Sequence, residues 1–231
     1  MTAPNPKYVV SSAGAELAVF DLDETLLNGD SDYLWGVFLA DSGYVDRSRY
    51  EATNRRFYED YLAGSLDIHA FCRFSLAPLV ALDPQTRESL RRRFVEQCIK
   101  PVVAPRGPAL LAEHHAQGHT TLITTSTNRF VTTPIAALLG VDVLLATEPE
   151  IVGDRYTGEV IDPPNFRDGK ITRLQAWIAA QPHEFTKIYA YSDSHNDLPL
   201  LEFSDAPTAV DPDPRLRNIA QQRGWPVISL R

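Results

Sequence analysis

Short apolar runs alternate with amphipathic stretches along most of the chain. An early apolar run, LAVF, predicts a buried strand, and from about residue 107 onward the further predicted strands are TTLITTS, VDVLLAT, KIYAYSD, APTAV and WPVISL. Helical stretches separate them, two of which end at Gly118 and Gly140. The segment EIVGDRYTGEVI predicts a β-hairpin with a glycine at each turn. Strands that alternate with helices indicate an α/β fold, a doubly wound parallel sheet covered on both faces.

A block that is helical almost throughout interrupts this alternation after the first strand. Residues 33–100 predict helices, with one break at ALDP, where Asp83 before Pro84 is typical of a helix N-terminus. We therefore expect a core domain made of residues 1–32 and 101–231, and an inserted all-helical cap domain made of residues 33–100. Helices inserted beside the carboxyl end of a strand commonly cover a ligand site, because ligands bind at that edge of such sheets.

Composition narrows the class of protein. The chain has 231 residues and a net charge of −8, without a block of basic residues, so nucleic acid and anionic membranes are poor partners. No apolar run is long enough to span a membrane, and the N-terminal residues do not resemble a secretory signal. The two cysteines, Cys72 and Cys98, are expected to be buried helix residues in a reducing compartment. We expect a cytoplasmic enzyme or binding protein; no sequence feature indicates its oligomeric state.

Polar groups follow several of the predicted strands. Asp21 and Asp23 come directly after LAVF, hydroxyl residues 124–127 end the next strand, and Asp193 ends KIYAYSD. Lys170 begins a predicted helix. Neighbouring strand ends of a doubly wound sheet open onto one crevice, so these groups are expected to converge. Carboxylates without imidazole or thiolate nearby suit Mg²⁺.

The order of these groups resembles the haloacid dehalogenase superfamily, and most closely its phosphoserine phosphatase-like branch (subclass IB). The family's Asp-x-Asp-x-Thr motif is matched by Asp21, Asp23 and Thr25, and its Ser or Thr at a strand end by Thr125, with Thr124 as the alternative. The remaining motifs are matched by Lys170 and by Asp193 with Asp197 in YSDSHNDLPLL.

The resemblance implies a phosphomonoester hydrolase that works through an aspartyl-phosphate. Asp21 would attack phosphorus, and Asp23 would protonate the leaving group and then activate water. Thr125 and Lys170 would hold the phosphoryl oxygens.

The same resemblance implies a metal site. Mg²⁺ would be held by Asp21, Asp193 and the backbone carbonyl of Asp23. Asn196 and Asp197 would lie behind these ligands and fix the metal and Lys170.

The substrate is expected to be a small phosphomonoester that carries an amine. Asp30 corresponds to the acidic residue that meets the substrate amine in phosphoserine phosphatases, although it would also cap the helix YLWGVF. Arg73 corresponds loosely to the cap arginine that meets the substrate carboxylate, although it would also pair with a nearby acid. Ser126 follows Thr125 where the family commonly has glycine and is a further candidate for substrate binding.

Two substrates and three classes of activity stay open at this point. Phosphoserine fits if Arg73 points inward, and an aminoalcohol phosphate such as histidinol phosphate fits if no arginine does. A phosphotransferase or mutase of the same superfamily and a non-catalytic phosphate-binding module are the alternatives to a phosphatase. The remaining candidates, His114 and His115, are expected on the surface.

Overall fold

Eight strands and nine α-helices make up the part of the chain that the structure, a computed structural model, describes. It describes residues 14–231, so the part of the predicted core domain before residue 14 lies outside it. The strands are β1 (Ala15–Phe20), β2 (Thr120–Asn128), β3 (Val143–Thr147), β4 (Pro149–Val152), β5 (Arg155–Val160), β6 (Phe185–Ser192), β7 (Ala206–Val210) and β8 (Val227–Ile228). The helices are α1 (Ser31–Asp41), α2 (Arg47–Ala63), α3 (Ile68–Ala81), α4 (Pro84–Phe94), α5 (Gly107–Ala116), α6 (Arg129–Leu139), α7 (Asp168–Ala179), α8 (Leu198–Phe203) and α9 (Pro214–Arg223).

Six of the strands form one parallel sheet in the order β3-β2-β1-β6-β7-β8. β1 lies in the middle, with Phe20 level with Ile123 of β2 and with Tyr191 of β6. The chain order reverses at β1, so the carboxyl ends of β1, β2 and β6 open onto one crevice. The predicted α/β fold with a doubly wound parallel sheet is confirmed.

The short apolar run of β1 is explained by two cores, one on each face of the sheet. Ala18 and Phe20 belong to one hydrophobic cluster, whereas Leu17 and Val19 belong to the other. All four are fully buried. Because successive side chains of a strand point to opposite faces, a strand covered on both sides must be apolar at every position.

The helices α1 to α4 follow β1 as predicted, and each begins with an aspartate cap. The side chains of Asp30, Asp46, Asp67 and Asp83 accept hydrogen bonds from main-chain amides of the first turn. Such a cap supplies a partner to amides that have none inside the helix. Beyond α4 the chain continues through a π-helical turn, Val95–Ile99, and a short 3₁₀ turn that the sequence pattern did not predict.

The predicted hairpin is also present, but only its first glycine lies in the turn. β4 and β5 pair antiparallel around Gly153, while Gly158 lies inside β5 with φ of +93°. A Cβ at Gly158 would stand 3.4 Å from the Val80 side chain of α3. That distance is an ordinary contact, so the positive φ, rather than a lack of space, favours glycine at this position. No helix in the described residues 14–231 has the length and apolar character needed to cross a bilayer.

His114 of α5 is buried, which makes the prediction of a surface position wrong. Its Nε2 lies 2.9 Å from the Tyr191 hydroxyl, and its Nδ1 lies 2.8 Å from Nδ1 of His119. The His114 ring also packs edge-on against Phe20 of β1. The sequence pattern of α5 does not predict the burial of His114, because the side chains that cover it come from strands β1 and β6.

The histidine cluster predicts a loss of stability in mild acid. Burial, followed by the neighbouring His119 and His115, lowers the pKa of His114 from 6.5 to about 4, although Glu16 opposes the shift. A depressed histidine pKa stabilises the fold fully above pH 6.5, and this contribution disappears as the pH falls toward 4. We expect the melting temperature of the wild type to fall relative to that of His114→Gln across this window, because the raised pKa values of the buried carboxylates act equally in both proteins.

The matched control for this prediction is His183→Gln, since His183 is exposed. It should keep the pH dependence of the wild type. Equal slopes of melting temperature against pH in the wild type and His114→Gln would contradict the assignment.

Candidate active site

Asp21 stands at the carboxyl end of the central strand. Its main-chain N–H donates to the Tyr191 carbonyl at 2.9 Å, which continues the β1–β6 ladder one residue past β1. The Asp21 side chain is buried. The backbone of this carboxylate is therefore fixed by the sheet itself rather than by a loop.

Lys170 joins Asp21 to Asp197. Its Nζ lies 2.8 Å from Asp21 Oδ1 and 2.7 Å from Asp197 Oδ2, and all three side chains are buried. The Ser192 hydroxyl donates to the same oxygen of Asp197 at 2.8 Å. Burial opposes the charge of Lys170, but the two carboxylates outweigh it and raise the pKa of the ammonium group. Lys170 is therefore positively charged at neutral pH.

Asp193 lies beside this group, at the end of β6. The Thr25 hydroxyl donates to Asp193 Oδ1 at 3.1 Å, and the Asp193 N–H donates to Thr25 Oγ1 at 3.0 Å. Burial and the charges of Asp21 and Asp197 raise the pKa of Asp193 well above its usual value. Burial, then Asp197, likewise raises the pKa of Asp21 to about 7, with Lys170 opposing. Two buried carboxylates thus repel each other around a single lysine.

The donor set fits Mg²⁺. Within residues 14–231 no three His, Cys, Asp or Glu side chains form a metal cluster by themselves. The carboxylates of Asp21 and Asp193 lie near enough to repel each other, so these two side chains are the candidate donors. Mg²⁺ is commonly held by one or two carboxylates, with waters and phosphate oxygens completing its shell. A divalent cation would also relieve the mutual repulsion that raises both pKa values.

Asp23 is held by hydroxyl groups from the end of β2. Its Oδ2 accepts from Thr127 at 2.9 Å and from Thr125 at 3.2 Å, while its Oδ1 accepts from the Ser31 N–H at 2.7 Å. Thr125 is fully buried, whereas Ser126 and Thr127 line the cavity above it. The structure thus places Thr125 behind Asp23, and brings Ser126 to the cavity as the sequence suggested.

A cavity of about 220 Å³ opens over these groups. Its floor is the cluster at the strand ends, and its opposite wall is aromatic. That wall comprises Tyr33 of α1, three residues of α2, one of α3 and one core residue: Phe57, Tyr58, Tyr61, Phe71 and Phe166. The cavity therefore combines an acidic floor with an aromatic wall.

Acidic side chains dominate the charge of this cavity. Asp30 lines it and also caps α1, accepting from the N–H groups of Asp32 at 2.9 Å and Tyr33 at 2.8 Å. Burial, followed by the charge of Asp23, raises the pKa of Asp30. Among the lining residues of the described chain the cations are Lys170 and Arg231. Arg231 pairs with Glu24 at 2.7 Å, and sequence reasoning missed this pair.

Two predicted site residues lie away from the cavity or face another partner. Arg73 is half exposed, does not line the cavity, and pairs with Glu159 of the hairpin at 3.7 Å. Asn196 is buried near Asp197, but its Oδ1 accepts from Arg167 Nε at 3.0 Å. The same guanidinium donates to the Gly64 carbonyl at 2.6 Å, so Asn196 connects to the end of α2.

Comparison with known proteins decides the family. The model of the haloacid dehalogenase-like hydrolase family matches residues 18–202, a span that contains every motif described above. The chain belongs to this family. A histidinol-phosphatase of Neisseria meningitidis serogroup C (strain 8013) is 42% identical over 219 residues, which are 93% of this chain and 99% of that protein. A phosphoserine phosphatase of Mycobacterium tuberculosis (strain ATCC 25618 / H37Rv) is 27% identical over 93% of this chain and 70% of its own length.

Solved structures agree with this assignment. A protein of unknown function from Bordetella pertussis Tohama I has a TM-score of 0.89 and 40% identity, covering 94% of this chain and all of that one. A substrate-bound phosphoserine phosphatase has a TM-score of 0.68 at 16% identity, covering 94% and 93%, and shows the shared fold. The predictions of a haloacid dehalogenase fold and of an enzyme of the phosphatase type are confirmed at this level.

Proposed function

We propose that the protein is a Mg²⁺-dependent phosphomonoesterase that acts through an aspartyl-phosphate on an aminoalcohol phosphate such as histidinol phosphate. The observation that carries the substrate class is the charge of the cavity. Eight of its lining residues are Asp or Glu, against one Lys and one Arg, each already paired with a carboxylate. The 42% identical relative named histidinol-phosphatase supports the same choice.

The residues at the strand ends have separate roles in this proposal. Asp21 is the nucleophile, because its backbone is fixed by β6 and its side chain faces the cavity. Asp23 protonates the leaving alkoxide and later deprotonates the attacking water. Hydroxyls of Thr125 and Thr127 orient Asp23 for this transfer.

Lys170 reduces the repulsion between Asp21 and the phosphate. Two unit charges about 4 Å apart repel by roughly 1 to 4 kcal/mol at effective dielectric constants of about 80 to 20. Asp21, Asp193 and the Asp23 carbonyl would hold Mg²⁺, which when bound supplies positive charge for the phosphoryl oxygens. Asp197 positions Lys170 through the 2.7 Å contact.

The position and pairing of Arg73 disfavour a substrate that carries a carboxylate. Phosphoserine recognition would require a cation free to meet that carboxylate, yet Arg73 lies outside the cavity and pairs with Glu159. An aminoalcohol phosphate carries an amine and no carboxylate. Its ammonium group complements the carboxylate of Asp30, which lines the cavity.

Asp30→Asn tests this proposal directly. Asparagine keeps the helix cap but removes the charge, so KM for an aminoalcohol phosphate should rise about tenfold while kcat changes little. Steady-state rates on histidinol phosphate, phosphoserine and an amine-free alkyl phosphate are the measurement. Arg73→Ala is the control and should leave every KM unchanged.

An unchanged KM in Asp30→Asn would remove the amine-binding role. A large rise of KM for phosphoserine in Arg73→Ala would instead favour phosphoserine as the substrate. Release of free phosphate in step with the alcohol separates hydrolysis from phosphoryl transfer. Location in the cytoplasm stays a prediction. The free thiols of Cys72 and Cys98 are in keeping with the reducing conditions there.

A further inference from the structure

Asn54 is a buried amide without a partner. It lies on α2, is 6% exposed, lines the active-site cavity, and makes no side-chain hydrogen bond within the described residues. Two side-chain atoms in the described residues are inaccessible to solvent and lack a hydrogen-bond partner, namely Trp35 Nε1 and Asn165 Oδ1. Asn54 is not among them. The Asn54 amide therefore meets the open space of the cavity. A bound ligand with a complementary donor or acceptor would supply the hydrogen bond that this amide does not make within the described residues.

The neighbours of Asn54 form a slot for a flat group. Phe57, Tyr58 and Tyr61 follow at helical spacings that share one face with Asn54, and all of them line the cavity. Phe71 of α3 meets Phe57 edge-to-face with 5.5 Å between ring centroids. Aromatic walls of this kind favour stacking and edge contacts with another ring.

Asp32 adds a second polar group to the cavity. Its Oδ1 accepts from the Ser75 hydroxyl at 2.8 Å, and no partner for its Oδ2 lies within residues 14–231. The side chain is buried and lines the cavity. An amide and a carboxylate oxygen without a partner in the described chain thus line the same cavity as the aromatic side chains, which suits a ring that both donates and accepts hydrogen bonds.

We infer that Asn54 is a specificity-determining residue that hydrogen-bonds a planar nitrogen heterocycle, such as imidazole, held against the aromatic wall of the cap. This inference rests on the proposed function and concerns the part of the substrate that binds neither Asp30 nor the phosphate site. A neutral imidazole offers one donor and one acceptor nitrogen on opposite sides of the ring. Asn54 can pair with one of them, by donating from Nδ2 or by accepting at Oδ1, and the other is left for a second polar group such as Asp32. A site built to pair such groups rejects analogues that lack them.

Two substrates that differ only in the ring test this inference. Histidinol phosphate and phenylalaninol phosphate share the amine and the phosphomonoester, but the phenyl ring has no polar atom. The wild type should prefer the imidazole substrate in kcat/KM by about ten- to a hundredfold. In Asn54→Leu the preference should collapse, through a higher KM for histidinol phosphate with little change in kcat.

Arg55→Leu is the matched control, because Arg55 is exposed on the same helix and does not line the cavity. It should keep the preference of the wild type. If Asn54→Leu shows no cooperative thermal transition and therefore does not fold, the same two substrates are compared in Asn54→Ser.

The outcomes separate this inference from the proposed function. Equal losses on both substrates in the Asn54 variants would assign Asn54 a structural role and overturn the inference. A wild type that hydrolyses both substrates equally well would overturn ring recognition while the aminoalcohol phosphatase stands. A wild type that hydrolyses neither would overturn both.

Discussion

Asp21→Asn is expected to lower kcat by at least about 10⁴-fold with any phosphomonoester that the wild type hydrolyses. The amide has the same shape as the carboxylate but is a far weaker nucleophile. The other groups of the site remain in place, because Lys170 keeps its 2.7 Å contact with Asp197. Initial rates on p-nitrophenyl phosphate and histidinol phosphate in Mg²⁺ measure the loss.

The fold of Asp21→Asn should not suffer. Asp21 is buried and its charge repels Asp197 and Asp193, so removing it leaves the melting temperature unchanged or raises it. Asp46→Asn makes the same chemical change at an exposed helix cap and should leave the rate unchanged. Retained turnover in Asp21→Asn would end the nucleophile assignment, whereas a collapse of stability would show that Asp21 is needed for folding.

Lys170→Met is expected to damage both stability and activity. The lysine is the shared partner of two buried carboxylates, and removing one member of a buried ion pair typically costs about 3 to 5 kcal/mol. For a chain of this size that corresponds to a fall of roughly 6 to 20 °C in melting temperature. kcat/KM should fall by about 10² or more, since Asp21 then meets the phosphate without this charge.

Lys100→Met provides the comparison for this variant. Lys100 pairs with Glu96 at the surface, and exposed pairs contribute about 1 kcal/mol or less. Melting curves with and without Mg²⁺ extend the test, because bound metal should restore part of the stability that Lys170→Met loses. A melting temperature equal to that of the wild type would show that Lys170 does not hold Asp21 and Asp197 in solution.

The strands and the rim of the site were predictable because local sequence determines them. A strand covered on both faces must be apolar throughout, and β1 has such a run directly before Asp21. Parallel strands bring their carboxyl ends to one edge, so Asp21 and Asp193 meet although they lie far apart in the chain. The aspartate caps of the helices are likewise local signals.

The features that sequence did not reveal depend on contacts between distant segments. His114 is buried by Tyr191 and Phe20 of two strands, which α5 alone does not indicate. Arg73 turns to Glu159 because the hairpin packs on α3. Asn54 becomes informative only once the cavity shows that nothing in the described chain satisfies its amide.

Mapping the phosphoryl group during turnover tests the central claim most directly. Wild type and Asp21→Asn would be mixed with histidinol phosphate and Mg²⁺, quenched in acid, digested and examined by mass spectrometry. We predict a hydroxylamine-sensitive phosphoryl group on the wild-type peptide that contains Asp21, and none on the variant. A phosphoryl group on a different residue, or turnover that continues in Asp21→Asn, would contradict the mechanism.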